Sequence, residues 1–293
     1  MEKLISILRC PKCNDKLKQI DDKLICKKAK SHEYSMQNGI PVLVTKEDMQ
    51  KYATDKITEY YNNVAEDYDV NHRVVFDGAQ WVLKNQTWPL FNEKLDKNES
   101  ILEIGAGTGY FTSFLISNGY NVLSGDLSLP MLSVNLQKHP SHDFCGFTSE
   151  NMPFEANSFD CIVGNNTFYL YNNKKKFLSE ISRVLKPGGK LYLSEMNPYF
   201  PLWYTRNPNK LVVDLNVGGE IEKRLLESKK VFIDNWIDQS DLELLAYKPY
   251  SNIPYFAGPL LKNLCVMFNY SFGLIPYVQK YLGIRVWIEM IKR

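Results

Sequence analysis

The stretch Leu102-Glu103-Ile104-Gly105-Ala106-Gly107-Thr108-Gly109-Tyr110 constrains this 293-residue chain more than any other. The run from Ser100 to Ile104 predicts a strand, glycines then alternate through a loop, and a helical pattern follows. Glycine at every second position lets the backbone approach a ligand that a Cβ would hold off. The free N–H groups of such a loop, and of the next helical turn, face whatever is bound. A dinucleotide loop, G-x-G-x-x-G, would need a glycine at 110 to pack helix on strand, and Tyr110 stands there instead.

Further segments follow in order. Asn121 to Asp126 predicts a second strand ending in an acid, which suits a ribose diol. Glu150-Asn151-Met152-Pro153-Phe154 leads into a strand over Ser158–Val163, and Leu185-Lys186-Pro187-Gly188-Gly189-Lys190-Leu191 turns into another. Upstream lies Tyr60-Tyr61-Asn62-Asn63-Val64-Ala65-Glu66-Asp67-Tyr68-Asp69. Together these residues resemble the class I S-adenosylmethionine (SAM) methyltransferases over about 55–200. Motif I of that family reads E-x-G-x-G-x-G, and many members carry a Y-x-x-x-A-x-x-Y-D lid helix.

The resemblance implies an α/β fold: a Rossmann-like, doubly wound, seven-stranded sheet. It also implies cofactor contacts. Gly105, Ala106, Gly107 and Gly109 would lie along the methionine part of SAM, with Glu103 near its amine. Asp126 would take the ribose hydroxyls and Leu127 would flank the adenine. Many relatives place an Asp four residues before the Leu-Pro-Phe element to contact the adenine amino group. Thr148 occupies that position here, so recognition would be shared with Ser149. Asn165 would sit near the transferable methyl, and Tyr61 and Tyr68 would close over the cofactor.

Cys10-Pro11-Lys12-Cys13 puts two thiols on one tight turn, the knuckle of a zinc site. Cys26 is a third ligand candidate. Position 29, where a fourth cysteine is expected, holds Ala29, and His32 is the nearest substitute. A Cys₃His zinc site is the favoured expectation, because so short a segment needs a staple. A ribbon that has lost its metal, or a Cys₃ site closed by water, remain the alternatives. His32-Glu33-Tyr34-Ser35-Met36 and Gly39-Ile40-Pro41-Val42-Leu43 resemble the N-terminal zinc domain of the ribosomal RNA guanine-N1 methyltransferases. The interval from Cys26 to His32 is longer than that family leads one to expect.

The expected organisation is a ribbon over 1–46, a linker and helical lid over 47–97, and the methyltransferase domain over 98–293. Thr45 to Lys56 reads as linker, and Trp81, Val82, Trp88 and Phe91 follow at helical spacing. Leu242–Tyr247 and Ile284–Ile291 predict a closing antiparallel pair of strands. An aromatic loop at 199–204 and an apolar insertion at about 251–282 read as extra core, as a hydrophobic substrate pocket, or as a membrane-surface helix.

Net charge bounds the partners. The chain carries +2 overall, and residues 1–50 hold ten basic and seven acidic side chains, leaving the rest near neutral. That is no footprint for a large nucleic acid. Lys174-Lys175-Lys176 is expected to form a solvated helix face. No run reaches the ~18 apolar residues of a membrane span. No signal peptide is expected, because Arg9 and Cys10 interrupt the first apolar residues. The cysteine spacing suggests a reducing compartment, hence the cytoplasm. Cys145, Cys161 and Cys265 read as core.

The expected activity is SAM-dependent methyl transfer to a small-molecule or lipid-like acceptor. One alternative is rRNA base methylation with the ribbon docking RNA. Another is a non-catalytic SAM-binding scaffold. Methyl transfer from a sulfonium demands positioning more than a base. Glu195, at the end of the fifth strand, is the one base candidate, and His72, His139 and His142 are expected at the surface without catalytic roles.

Overall fold

A computed structural model describes residues 2–53, 55–71, 82–197, 212–217, 220–225, 237, 240–250 and 285–293. Trp81, His72, Cys265, the 199–204 loop and the 251–282 insertion lie outside the described residues.

After a short helix Glu2–Ile7, four strands form a small antiparallel sheet in chain order: β1 (Leu17–Ile20), β2 (Lys23–Cys26), β3 (Glu33–Gln37) and β4 (Ile40–Pro41). Asn14, Asp21 and Asn38 have positive φ at its turns, where a short polar side chain tolerates the left-handed region. The stretch from Thr45 to Lys56 is not the expected linker. It contains the helix Lys46–Ala53, and Lys56 already opens the next, Lys56–Val64. Both helices are capped: Asp48 N–H donates to Thr45 Oγ1 at 3.0 Å, and Thr58 N–H to Asp55 Oδ2 at 3.0 Å. Helical turns continue at Tyr68–Asn71, Leu83–Thr87 and Trp88–Lys94.

The main sheet is built from β5 (Ile101–Ile104), β6 (Val122–Asp126), β7 (Phe144–Gly146), β8 (Phe159–Asn165) and β9 (Leu185–Met196). A separate hairpin, β10 (Val212–Val217) and β11 (Glu220–Leu225), precedes the last pair, β12 (Leu242–Tyr250) and β13 (Arg285–Lys292). The seven strands lie in the order β12-β13-β9-β8-β5-β6-β7. Strands β5 to β9 are mutually parallel, and β13 runs antiparallel to both β9 and β12. The doubly wound, Rossmann-like seven-stranded sheet is therefore present. All four residues of β5 are buried, as a strand covered on both faces requires. Helices Tyr110–Ser117, Leu129–Lys138 and Lys174–Val184 supply the cover.

Lys174 departs from its expected solvated position. It is buried, donating to the Tyr171 carbonyl and lying over the Phe168 ring at 5.5 Å, while Lys175 and Lys176 stay exposed. The stem of a lysine packs on apolar surface while its ammonium finds an oxygen.

Ribbon and sheet share one core. Leu4, Leu8, Leu17, Leu24, Tyr34 and Leu43 belong to the same buried cluster as Phe147, Phe154 and Phe159. Backbone bonds stitch the seam: Arg9 N–H to the Pro153 carbonyl and Glu155 N–H to that of Ile7, each at 2.8 Å. On the far side Val42 pairs in parallel with Gly146 of β7, and Leu43 N–H donates to the Gly146 carbonyl at 2.8 Å.

Candidate active site and metal centre

Strand order reverses between β5 and β8, and a ligand crevice opens beyond the carboxyl ends of strands at such a point. A cavity of about 380 Å³ lies there. Its wall includes Tyr61, Tyr68, Glu103, Gly105, Ala106, Gly107, Asp126, Leu127, Thr148, Ser149 and Asn165, so the structure gathers nearly all the expected cofactor residues.

The loop between β5 and its helix needs its glycines for three separate reasons. Gly107, at φ +53°, has nothing among the described residues within 4 Å of where a Cβ would stand. There the left-handed backbone, and not crowding, is what favours glycine. At Gly105 (φ +65°) a Cβ would lie 2.4 Å from Thr167 Oγ1. At Gly109 (φ +91°) it would lie 2.1 Å from Asn135 Oδ1. Gly109 is not part of the wall; it lets the buried Asn135 reach in and donate to the Gly107 carbonyl at 3.4 Å and Thr112 Oγ1 at 3.0 Å.

Two acids face this loop. Asp126 takes the Gly107 N–H on Oδ2 at 2.8 Å and the Ser128 N–H on Oδ1 at 2.9 Å. Burial raises its pKa, and those backbone bonds oppose the shift. Glu103 accepts on Oε2 from Thr112 Oγ1 at 2.8 Å and from Ser124 Oγ at 2.5 Å. Its burial is complete enough to push it up to about 7. Ser124 Oγ in turn lies 2.9 Å from His142 Nε2. His142 is half-buried and joined to an acid through a hydroxyl, which its place in the sequence did not suggest. His139 is bonded too, its Nε2 lying 2.9 Å from Ser113 Oγ.

The opposite end of the cavity wall is held by the ribbon's successor helices. Thr148 Oγ1 donates to the Tyr52 hydroxyl at 3.0 Å, and Lys51 Nζ donates to Glu150 Oε2 at 2.8 Å. Ser149 Oγ donates to the Tyr171 hydroxyl at 3.3 Å, which also lies 2.7 Å from Thr167 Oγ1. Asp69 ties the lid to the loop, accepting from Thr108 Oγ1 at 2.7 Å and from Lys138 Nζ.

Glu195 lies outside the cavity wall. Its Oε1 accepts the Thr167 and Phe168 N–H groups, each at 2.9 Å, and so caps the 3₁₀ turn Phe168–Leu170. Buried and pushed up to about 7, it holds the loop after β8 instead of reaching into the cavity as a base. Arg285, buried at the start of β13, does line the cavity and donates from Nη2 to Asn165 Oδ1 at 2.7 Å. Sequence reasoning missed Arg285, Tyr52 and Tyr171. An arginine opening the apolar run Val286-Trp287-Ile288 was the available signal for the first.

In the ribbon, one donor atom from each of Cys10, Cys13, Cys26 and His32 lies within 4.8 Å of the others. Cys10 Sγ is 3.5 Å from His32 Nδ1, and the Cys13 and Cys26 sulfurs are 3.4 Å apart. The knuckle is set by Asn14 N–H donating to the Cys10 carbonyl at 2.7 Å. The strand pair β2–β3 returns His32 to it, with Cys26 N–H donating to the His32 carbonyl at 3.0 Å. Three sulfurs and one imidazole at this separation fit a closed tetrahedral ion.

Comparison with known proteins places the fold. Residues 102–193 match the family described as Methyltransferase domain. The demethylmenaquinone methyltransferase of Paenarthrobacter aurescens is 33% identical over 152 residues, covering 51% of this chain and 58% of that protein. The ubiquinone/menaquinone biosynthesis C-methyltransferase UbiE of Francisella tularensis subsp. novicida is 29% identical over 214 residues, covering 68% and 85%. The chain thus spans less than two thirds of the first relative's length. Among solved structures, a SAM-dependent methyltransferase of Thermotoga maritima, described as a possible histamine N-methyltransferase, aligns with a TM-score of 0.54 at 16% identity, covering 80% of this chain and 99% of that one. A putative SAM-dependent methyltransferase of Listeria monocytogenes aligns at 0.52 and 18%, covering 70% and 96%. At such identities the structural likeness is of fold alone. The chain carries a methyltransferase domain on the Rossmann-like sheet of the SAM-dependent methyltransferases.

Proposed function

We propose that this chain moves a methyl group from SAM to a small, planar, quinone-like acceptor. The observation that carries the reading is Asp126, whose carboxylate takes backbone N–H groups from Gly107, Leu127 and Ser128 at the cavity wall. A carboxylate has about four lone-pair sites, so acceptor capacity is left for a ribose diol across the glycine loop. Glu103 faces the amine, Thr148 and Ser149 the adenine edge, and Asn165 the methyl. Leu127 flanks the adenine, and Tyr61 and Tyr68 close the site. SAM supplies an electrophilic methyl carbon with a good leaving group, so the chain's own residues orient the partners and exclude water. Val82, Leu83 and Met196 give the acceptor an apolar wall. The quinone-like class is supported by what the relatives' names say they methylate.

The Cys10, Cys13, Cys26 and His32 cluster holds one structural zinc in this reading, since a closed site leaves no position for a substrate. Metal analysis of purified protein tests it, with about one zinc per chain expected.

The function itself is tested by label transfer from methyl-labelled SAM into cell extract. Label in an organic-soluble, low-mass fraction supports the acceptor class. Label in nuclease-sensitive RNA would replace it with rRNA methylation. One observation favours that second reading: Lys16 and Lys27 are joined by a backbone bond across the ribbon, and Lys18, Lys28 and Lys30 are exposed near them in sequence. Like charges so placed are relieved by an anionic partner. Binding of S-adenosylhomocysteine with no transfer into any fraction would leave only a scaffold.

A further inference from the structure

Glu103 is the most deeply buried acid at the cavity, yet it is connected to solvent. Ser124 Oγ, 2.5 Å from Glu103 Oε2, stands 2.9 Å from Nε2 of the half-buried His142. Three elements converge: Glu103 on β5, Ser124 on β6, and His142 in the turn that enters β7. Nothing in the spacing of positions 103, 124 and 142 reveals this; the parallel register Glu103↔Ser124 creates it. Thr112, on the helix after the glycine loop, supplies the second hydroxyl to the same oxygen.

We infer that Ser124 and His142 are positioning residues that let Glu103 give up a proton to solvent when the cofactor's ammonium group arrives. The inference rests on the SAM reading above, which places that amine beside Glu103. The proton balance is simple. Carboxyl O–H donates to Ser124 Oγ, Ser124 O–H donates to His142 Nε2, and the imidazole releases a proton from Nδ1. After transfer the hydrogen bonds run the other way, from His142 Nε2–H to Ser124 and from Ser124 O–H to the carboxylate. No other reactant is needed.

Burial first, and the surrounding charges after it, favour a protonated Glu103 before the cofactor binds. Asp126, at the end of β6, is the other acid near it, and its field raises Glu103. On the β8 side Glu103 pairs with Val163, which carries no charge. His142 itself is held down to about 4, by burial first and His139 further, with Asp143 opposing. It therefore stays neutral at pH 7 and can both accept and donate. An arriving ammonium reverses the balance at Glu103, since an adjacent cation favours the carboxylate.

The test is calorimetric binding of S-adenosylhomocysteine, from pH 6 to 8, in buffers of different ionisation enthalpy. The ligand's own amine is charged throughout that range. Wild-type protein is expected to release protons near pH 6.5 and to gain roughly tenfold in affinity between pH 6 and 8. Glu103→Gln should bind more weakly with no pH dependence. His142→Phe should bind at pH 8 within about twofold of wild type but carry its pH midpoint upward, and His142→Gln, which keeps a donor for Ser124, should restore it. Binding that is independent of pH and buffer in the wild type would overturn the inference, as would Glu103→Gln retaining the wild-type profile, which would pass the proton to Asp126. Failure of wild-type protein to bind S-adenosylhomocysteine at any pH would instead overturn the SAM reading.

Discussion

The ribbon and the sheet achieve order by different means within one continuous core. The sheet is held by strands buried on both faces, with Leu102, Ile104, Ile162 and Leu193 fully enclosed. The ribbon's β1 buries only Leu17 and exposes its other three residues. Its own interior is too small to hold it, since short segments without a staple are marginal. It draws on the floor of the sheet, against which Leu8 and Leu43 pack, and it gathers Cys10, Cys13, Cys26 and His32, the cluster proposed to hold zinc, between its loops. A boundary drawn at residue 46 therefore cuts through one shared core.

Breaking the ribbon's own staple is expected to have the largest effect. Cys26→Ser should lose the proposed zinc and cost more than about 4 kcal/mol, read as a fall in chemical-denaturation stability together with metal content. If the protein keeps its full stability without metal, the contrast between the two regions collapses. Breaking the seam comes next. Leu8→Ala empties a fully buried site shared by both regions and should cost about 2–5 kcal/mol. One cooperative transition by circular dichroism and by Trp fluorescence would sharpen the shared-core picture, whereas two separated transitions would contradict it.

A smaller effect belongs to the sheet alone. Glu195 titrates at about 7 in the folded chain against 4.5 when free. The folded state keeps a proton that the unfolded state has lost, so this acid makes stability fall as pH rises from about 4.5 to 7. Glu195→Gln keeps an oxygen for the Thr167 and Phe168 amides and should flatten that decline, by up to about 3 kcal/mol at pH 8. Urea midpoints at pH 5 and pH 8 check it; equal slopes in mutant and wild type would refute it. Smallest of all is the exposed Lys23–Glu33 pair on the ribbon. Lys23→Ala should leave the melting temperature unchanged, since exposed ion pairs contribute little.

Legibility followed the same division. The glycine loop, the strands around it and the closing pair could be read because buried strands are continuous apolar runs and the loop is constrained by backbone geometry. The helix Lys46–Ala53 could not, because Tyr52 is its one buried side chain among those described and its other contacts are caps and ion pairs. Lys174 misled for a related reason: a lysine run reads as solvent, and only tertiary contact shows one ammonium turned inward. The cluster of Cys10, Cys13, Cys26 and His32 was legible from knuckle spacing, with His32 as the nearest substitute for a cysteine at position 29. Glu195 was read from its strand position as facing the substrate. Its fate depended on two amides from the neighbouring β8 loop, which no local pattern encodes.

The pairing of Val42 with Gly146 carries a consequence for how copies of this chain meet one another. β7 is the outermost parallel strand of the sheet, and the ribbon's tail occupies its outer edge. An uncovered edge is a template for another chain's strand. Loss of the zinc proposed for the ribbon would loosen that tail and bare the edge while most of the sheet still stood. Metal shortage would then register first as self-association of folded protein, ahead of any loss of the seven-stranded sheet.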